Sequence, residues 1–140
     1  MTMKQHNEHC ERIVDRMIEY YNGNIYEYDG YEYNYKFVKE DENGEYFETE
    51  DNEMVYLEDM EQLSLYDYFN DFLDVDYIVN CRKEYRAARI MVTCGSPNIY
   101  INTWDKQVEL YWWTDEGKAY IPSYLNDAIN DIFEDYYNTL

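Results

Sequence analysis

The sequence predicts an α+β fold: a single domain over residues 1–140, in which an antiparallel sheet of about five or six strands is flanked by N- and C-terminal helices and one short middle helix. Three observations carry this prediction. Apolar residues recur at helical spacing near both ends. Runs of β-branched and aromatic residues, broken by turn residues, fill the stretch from 85 to 113. At 140 residues the chain has the size of one domain and can bury a core without staples.

Along residues 5–21, Cys10, Ile13, Val14, Met17, Ile18 and Tyr21 recur every three or four positions. Glu11, Asp15 and Glu19 stand four apart on the other side, with Arg12 and Arg16 beside them. Asn22-Gly23-Asn24 ends this helix, because glycine and asparagine accept the left-handed conformation of a C-cap. From Tyr26 to Phe37 aromatic and polar residues alternate, and Asp29-Gly30 interrupts the run at a turn or bulge. Asn43-Gly44 predicts a hairpin turn between strands at 35–39 and 45–49, and a short strand follows at 54–57.

Ser64 is the expected N-cap of a short helix over residues 65–72, with Leu65, Tyr68, Phe69 and Phe72 buried and Asp67, Asp71 and Asp74 in water. Residues 76–81 read as a strand leading into the meander. The meander's Ile90, Met91, Val92, Ile99, Tyr100, Ile101, Val108 and Leu110 are punctuated by Cys94-Gly95-Ser96-Pro97 and Trp104-Asp105-Lys106-Gln107. Asp115-Glu116-Gly117 predicts a turn, residues 118–121 a short strand, and Pro122-Ser123 a helix entrance with Ser123 as N-cap. The last helix buries Leu125, Ala128, Ile129, Ile132, Phe133 and Tyr136. Asp127, Asp131 and Glu134, with Asp135, lie opposite.

Charge restricts function more than any motif does. The formal net charge is −20, from 31 acidic and 11 basic side chains, far beyond what solubility needs. Charge at this density opposes compaction, so a purpose other than folding is expected. It disfavours nucleic acid and anionic membranes as direct partners and favours basic protein surfaces, polycations or metal ions. Nineteen tyrosines exceed the needs of one small core, and tyrosine suits interfaces through its large, rigid contact area and polar tip. Residues 1–60 carry −12, whereas Arg82, Lys83, Arg86 and Arg89 bring residues 81–94 to +3. That basic cluster is either an internal salt-bridge surface or the mark of a different partner geometry.

Spacing adds to amount. Carboxylates three or four apart on a helix rise about 4.5–6 Å, and side chains two apart on a strand stand about 6.7 Å apart on one face. Glu11-Asp15-Glu19, Asp127-Asp131-Glu134, Glu27-Asp29 and Glu48-Glu50 are therefore candidate columns that present charge to lysines and arginines much as a nucleic-acid backbone does. Asp67 and Asp71 join them as candidate partner contacts. Any single column taken alone reads as an ordinary solvated face; the interface reading rests on their sum together with the net charge of −20.

Catalytic and metal signatures are missing from the pattern. His6, His9 and Cys10 have no fixed third and fourth zinc ligand, and Asp41-Glu42-Asn43-Gly44 lacks the ligand pattern of a calcium loop. Ser64, Ser96 and Ser123 lack a nucleophile elbow. Cys81 and Cys94 fall in apolar strand patterns and read as core thiols. Trp112 and Trp113, adjacent in a strand, are expected on opposite faces, in packing or as an interface anchor; Trp104 belongs to the same weighing. The expectation is a non-enzymatic protein with no cofactor and no metal. With three cysteines at no metal-like spacing, no signal-peptide pattern and no long apolar segment, it is expected in the cytoplasm, as a monomer or homodimer.

The helix-face carboxylates and the acidic, tyrosine-rich segments IYEYDGYEYNY and EDENGEYFETEDNE give the chain a compositional resemblance to the DNA-mimicking inhibitors of phages and mobile elements. Those proteins block restriction or CRISPR effectors, with acidic side chains standing where phosphates would. The resemblance implies a basic nucleic-acid-binding partner, such as a bacterial defence nuclease, reached in the host cytoplasm. An immunity or antitoxin-like protein that neutralises one cognate toxin is the alternative. An acidic structural or metabolic domain, including one from a halophile, is the third class.

Overall fold

The computed structural model describes residues 2–95 and 97–140; Met1 and Ser96, the latter expected in a turn, lie outside the described residues. The elements are α1 (Met3–Tyr21), β1 (Ile25–Tyr28), β2 (Tyr31–Asn34), β3 (Lys39–Asp41), β4 (Gly44–Glu48), β5 (Met54–Tyr56), β6 (Glu61–Gln62), α2 (Leu65–Tyr68), β7 (Asp74–Val79), β8 (Tyr85–Thr93), β9 (Asn98–Asn102), β10 (Gln107–Trp112), β11 (Asp115–Tyr120) and α3 (Ser123–Asn138). Short 3₁₀ turns occupy Tyr35–Phe37 and Leu57–Asp59. The fold is α+β, with a five-stranded antiparallel sheet and two smaller ones. The chain forms two compact units: Met1–Ile18 with Phe69–Leu140, and Glu19–Tyr68.

The first unit is built on the meander, in the order β11-β10-β9-β8-β7. Register pairs Ile90 with Ile101, Ile101 with Val108, and Ile99 with Leu110. The two-residue pleat therefore collects these side chains on one face. All of them are buried, as are Leu125, Ile129, Ile132 and Phe133 of α3. Each such aliphatic side chain contributes about 1.5–3 kcal/mol by leaving water. Polar bonds fix α3 to the sheet. Asn126 Nδ2 donates to the Thr103 carbonyl at 3.0 Å, and the Tyr85 hydroxyl donates to Asn130 Oδ1 at 2.6 Å. Phe133 meets Phe69 and Phe72 edge-on, each with ring centroids 5.2 Å apart.

The start of α1 packs on β11. The backbone N–H of Lys118 donates to Asn7 Oδ1 at 2.8 Å, and buried His6 leaves no space above Gly117. A Cβ at Gly117 would lie 2.6 Å from the His6 carbonyl carbon, which is backbone and cannot swing aside. Gly117→Ala is therefore expected to cost about 3 kcal/mol through forced separation of helix and strand, seen as a lower urea midpoint with an unchanged slope.

The second unit contains two three-stranded sheets, β2-β1-β6 and β3-β4-β5. Asp29 and Gly30 both have positive φ, 52° and 82°, the requirement of the two-residue turn that joins β1 to β2 in register with the strand twist. Phe47 is buried, with its ring centroid 5.5 Å from that of Tyr33 and 6.1 Å from that of Tyr26. Tyr20 meets Tyr68 edge-on at 5.4 Å.

Several local expectations are corrected. Residues 35–37 form a 3₁₀ turn and not a strand, because Asn34 Oδ1 accepts from the Lys36 N–H at 3.0 Å and bends the chain. The hairpin turn sits at Glu42-Asn43, one residue early, since Gly44 already pairs with Asp41, whose Oδ1 accepts the Asn43 N–H. The middle helix ends at Tyr68, short of residue 72. Ser64 receives a carboxylate there: its N–H donates to Asp67 Oδ2 at 2.7 Å. The turn after the tryptophans is Trp113-Thr114, and residues 115–117 belong to β11. Pro122, not Ser123, occupies the N-cap of α3. Cys81 and Cys94 are exposed, because β7 ends at Val79 and β8 at Thr93, before either thiol is reached. Buried Cys10 has its thiol pushed up to about 11, chiefly by burial and then by Glu11 and Glu109. Tyr21, expected in the α1 stripe, is exposed, and Tyr20 is buried in its place.

Candidate functional site

Charge and tyrosine concentrate in the second unit. Residues 19–68 hold 16 acidic side chains against 2 basic ones, net −14, together with 11 of the 19 tyrosines. The rest of the chain holds 15 against 9, net −6.

Strand pairing then sorts these residues by face. In β2-β1-β6, Glu27 lies opposite Glu32 on one side and Glu61 on the other. Three carboxylates thus form a row across the sheet at the strand spacing of about 4.8 Å. Like charges directly opposite destabilise a sheet by roughly 0.2–1 kcal/mol per pair. Tyr26 pairs with Tyr33 and Tyr28 with Tyr31, so four tyrosines occupy the reverse face. A third like-charge pair, Glu40 opposite Glu45, lies in the other sheet between β3 and β4.

The tyrosine face leads into a cleft. Tyr28, Tyr31 and Tyr33 wall it, and Asp29, Glu50, Asp51 and Glu53 contribute carboxylates. The turn carrying the last three is closed by Thr49: its N–H donates to the Glu53 carbonyl at 2.8 Å, and its Oγ1 accepts from the Glu53 N–H at 3.1 Å. Burial, then the neighbouring Glu50, Tyr31, Asp29 and Asp51, push the Tyr33 hydroxyl above its ordinary range.

The residues singled out from sequence divide into groups. Glu11 and Asp15 on α1, and Asp127, Asp131 and Glu134 on α3, are exposed helix-face carboxylates. Glu19 departs from the α1 column. Its Oε2 accepts from Asn24 Nδ2 and Asn34 Nδ2, both at 3.2 Å, which ties the helix end to β2. Glu27 and Asp29 do not form a strand column, because Asp29 lies in the left-handed turn; Glu27 belongs to the carboxylate row and Asp29 to the cleft. Glu48 ends β4 and pairs with Lys39 at 2.5 Å, while Glu50 lies beyond the strand in the cleft turn. Asp67 caps α2 through Ser64, and Asp71 is exposed in the turn that follows. Tyr28, Tyr31, Tyr33, Asp51, Glu53, Glu32 and Glu61 were not singled out. The alternation of tyrosine and acid signalled the hairpin residues, whereas Glu61 joins only through long-range pairing.

The basic cluster is resolved in part. Arg89 is internal to the sheet network: its Nε donates to Glu109 Oε1 at 3.1 Å, and its guanidinium carbon lies 3.6 Å from the Tyr100 ring centroid and 6.0 Å from that of Tyr111. Glu109 also accepts from Gln107 Nε2 at 2.6 Å and Asn102 Nδ2 at 3.1 Å. Burial alone would raise its carboxyl. The bonds from Gln107, Asn102 and Arg89, with the Arg89 charge, outweigh burial and hold it below the usual range. Arg82, Lys83 and Arg86 are exposed. Trp104 is exposed, Trp113 is 90% exposed at a positive φ of 56°, and Trp112 is half-buried.

Among the described residues, no group of three or more His, Cys, Asp or Glu side chains converges to hold a metal, and no helix is long and apolar enough to cross a membrane. Comparison with protein-family models, curated protein sequences and solved structures finds no match to this chain.

Proposed function

We propose that the chain is a non-enzymatic inhibitor that binds a basic, nucleic-acid-handling protein, a bacterial defence nuclease such as a restriction or CRISPR effector, and competes with nucleic acid for it. The supporting observation is the second unit, which places net −14 on 50 residues and sets Glu27 directly opposite Glu61 at a cost to its own sheet. A like-charge pair that opposes folding, in a unit this acidic, is better accounted for by a cationic partner that neutralises it. Lysines and arginines of the target pair with carboxylates, and tyrosines supply contact area at the centre. The −20 field speeds encounter and makes it salt-sensitive. The protein acts in the bacterial cytoplasm, as a monomer or homodimer.

Capture tests this reading. The immobilised protein, incubated with lysates containing restriction and CRISPR effectors, is expected to retain a basic nuclease that an equal charge of immobilised polyglutamate does not. Retention of a toxin with no nucleic-acid substrate would replace the inhibitor reading with the immunity reading. Retention no different from polyglutamate would remove both.

A further inference from the structure

We infer that the cleft walled by Tyr28, Tyr31 and Tyr33 binds the guanidinium of an arginine side chain presented by the partner protein. The inference rests on the reading of the second unit as the partner surface and names the side chain that one of its sites takes.

The chemistry of the walls selects the ligand. Aromatic faces attract cations through the ring quadrupole, and carboxylates at the rim add charge-assisted hydrogen bonds. Among the described residues, those lining the cleft include no lysine or arginine. Since no metal-holding cluster is present among the described residues, the carboxylates suit an extended organic cation better than a metal ion.

The chain supplies its own template for such a site. Arg89 is held by one tyrosine ring at 3.6 Å, a second at 6.0 Å and the Glu109 carboxylate at 3.1 Å. The cleft repeats that combination of tyrosines and carboxylates, with the arginine missing. Arginine is preferred to lysine because a planar, weakly hydrated guanidinium stacks on a ring while forking to carboxylates. A compact ammonium keeps its water.

Amide-detected NMR titration with acetyl-Gly-Arg-Gly-amide, and with its lysine and citrulline counterparts, tests the assignment on the intact chain. The arginine peptide is expected to produce saturable shifts centred on residues 28–33 and 49–53. The lysine peptide should bind several-fold more weakly, and neutral citrulline should leave those resonances unmoved. Glu50→Gln with Asp51→Asn, both exposed turn positions, should weaken the arginine peptide by about tenfold with the remaining spectrum unchanged. Absence of saturable shifts, equal shifts with citrulline, or arginine shifts of equal midpoint on the Asp127 and Asp131 face of α3 would overturn the site. The assay contains no nuclease. Its failure therefore leaves a captured target standing, and a failed capture with a positive titration would discard the target class while keeping the site.

Discussion

Replacing Glu27 and Glu61 by glutamine is expected to make the protein more stable and a poorer binder. Glu27 faces a carboxylate on both sides, so neutralising it with Glu61 removes both like-charge contacts of the row. The gain is about 1 kcal/mol, which raises Tm by a few degrees, and it should shrink as added salt screens the repulsion in the parent. The same change deletes two carboxylates from the partner surface. If each is engaged by a target arginine or lysine, affinity falls by about tenfold per site, mostly through faster dissociation. An ordinary solvated face predicts the stability gain with affinity untouched. Thermal unfolding and binding kinetics on one pair of proteins therefore separate the two readings.

Glu109→Leu is expected to act in the opposite sense on stability. The side chain is buried and accepts from Arg89, Asn102 and Gln107, so its removal takes an acceptor from a guanidinium and two amides, of which Asn102 keeps Asp105 Oδ2 at 3.0 Å. Breaking such a set by removing one partner costs about 3 kcal/mol. Arg89 retains a path to water, which keeps the figure at the lower end of that range. The pH dependence carries a definite sign. Because hydrogen bonds and the Arg89 charge hold the folded carboxyl below the usual range, its contribution is present above the unfolded value near about 4.3 and is lost as pH falls through the folded value. Urea unfolding of both proteins should show a difference near about 3 kcal/mol at neutral pH that narrows in acid. A constant difference across that window would show that packing, not the ionised carboxylate, dominates.

The sequence was legible where local chemistry decides structure. Asp29-Gly30 announced the β1–β2 turn, and the three-and-four spacing announced α1 and α3, because a left-handed turn and a helical stripe are properties of neighbouring residues. It was less legible where a side chain competes with the backbone. Asn34 turns the expected strand at 35–39 into a 3₁₀ segment, and nothing in its flanking residues distinguishes it from a strand asparagine. The thiols Cys81 and Cys94 sit one or two residues past strand ends, within the usual uncertainty of an element's boundary but enough to reverse their burial.

The candidate site divides in the same way. The helix-face carboxylates follow from periodicity. The carboxylate row needs Glu61 to pair with Glu27, and the cleft needs the 49–53 turn to meet the tyrosines of the first hairpin; neither partner is adjacent in sequence. Glu19 and Asp67 look like members of acidic columns in the sequence. In the structure they hold Asn24, Asn34 and Ser64. Abundance of acid hides which carboxylates serve the fold and which are left over for a partner.

Competition by nucleic acid tests the central claim most directly. Duplex DNA or guide RNA, titrated into the complex of this protein with its captured nuclease, is expected to displace the protein in a mutually exclusive manner, with the apparent Kd rising linearly as competitor rises. The Glu27→Gln, Glu61→Gln variant should be displaced at lower competitor. Simultaneous binding of nucleic acid and this protein to the nuclease, with no change in either affinity, would contradict the account.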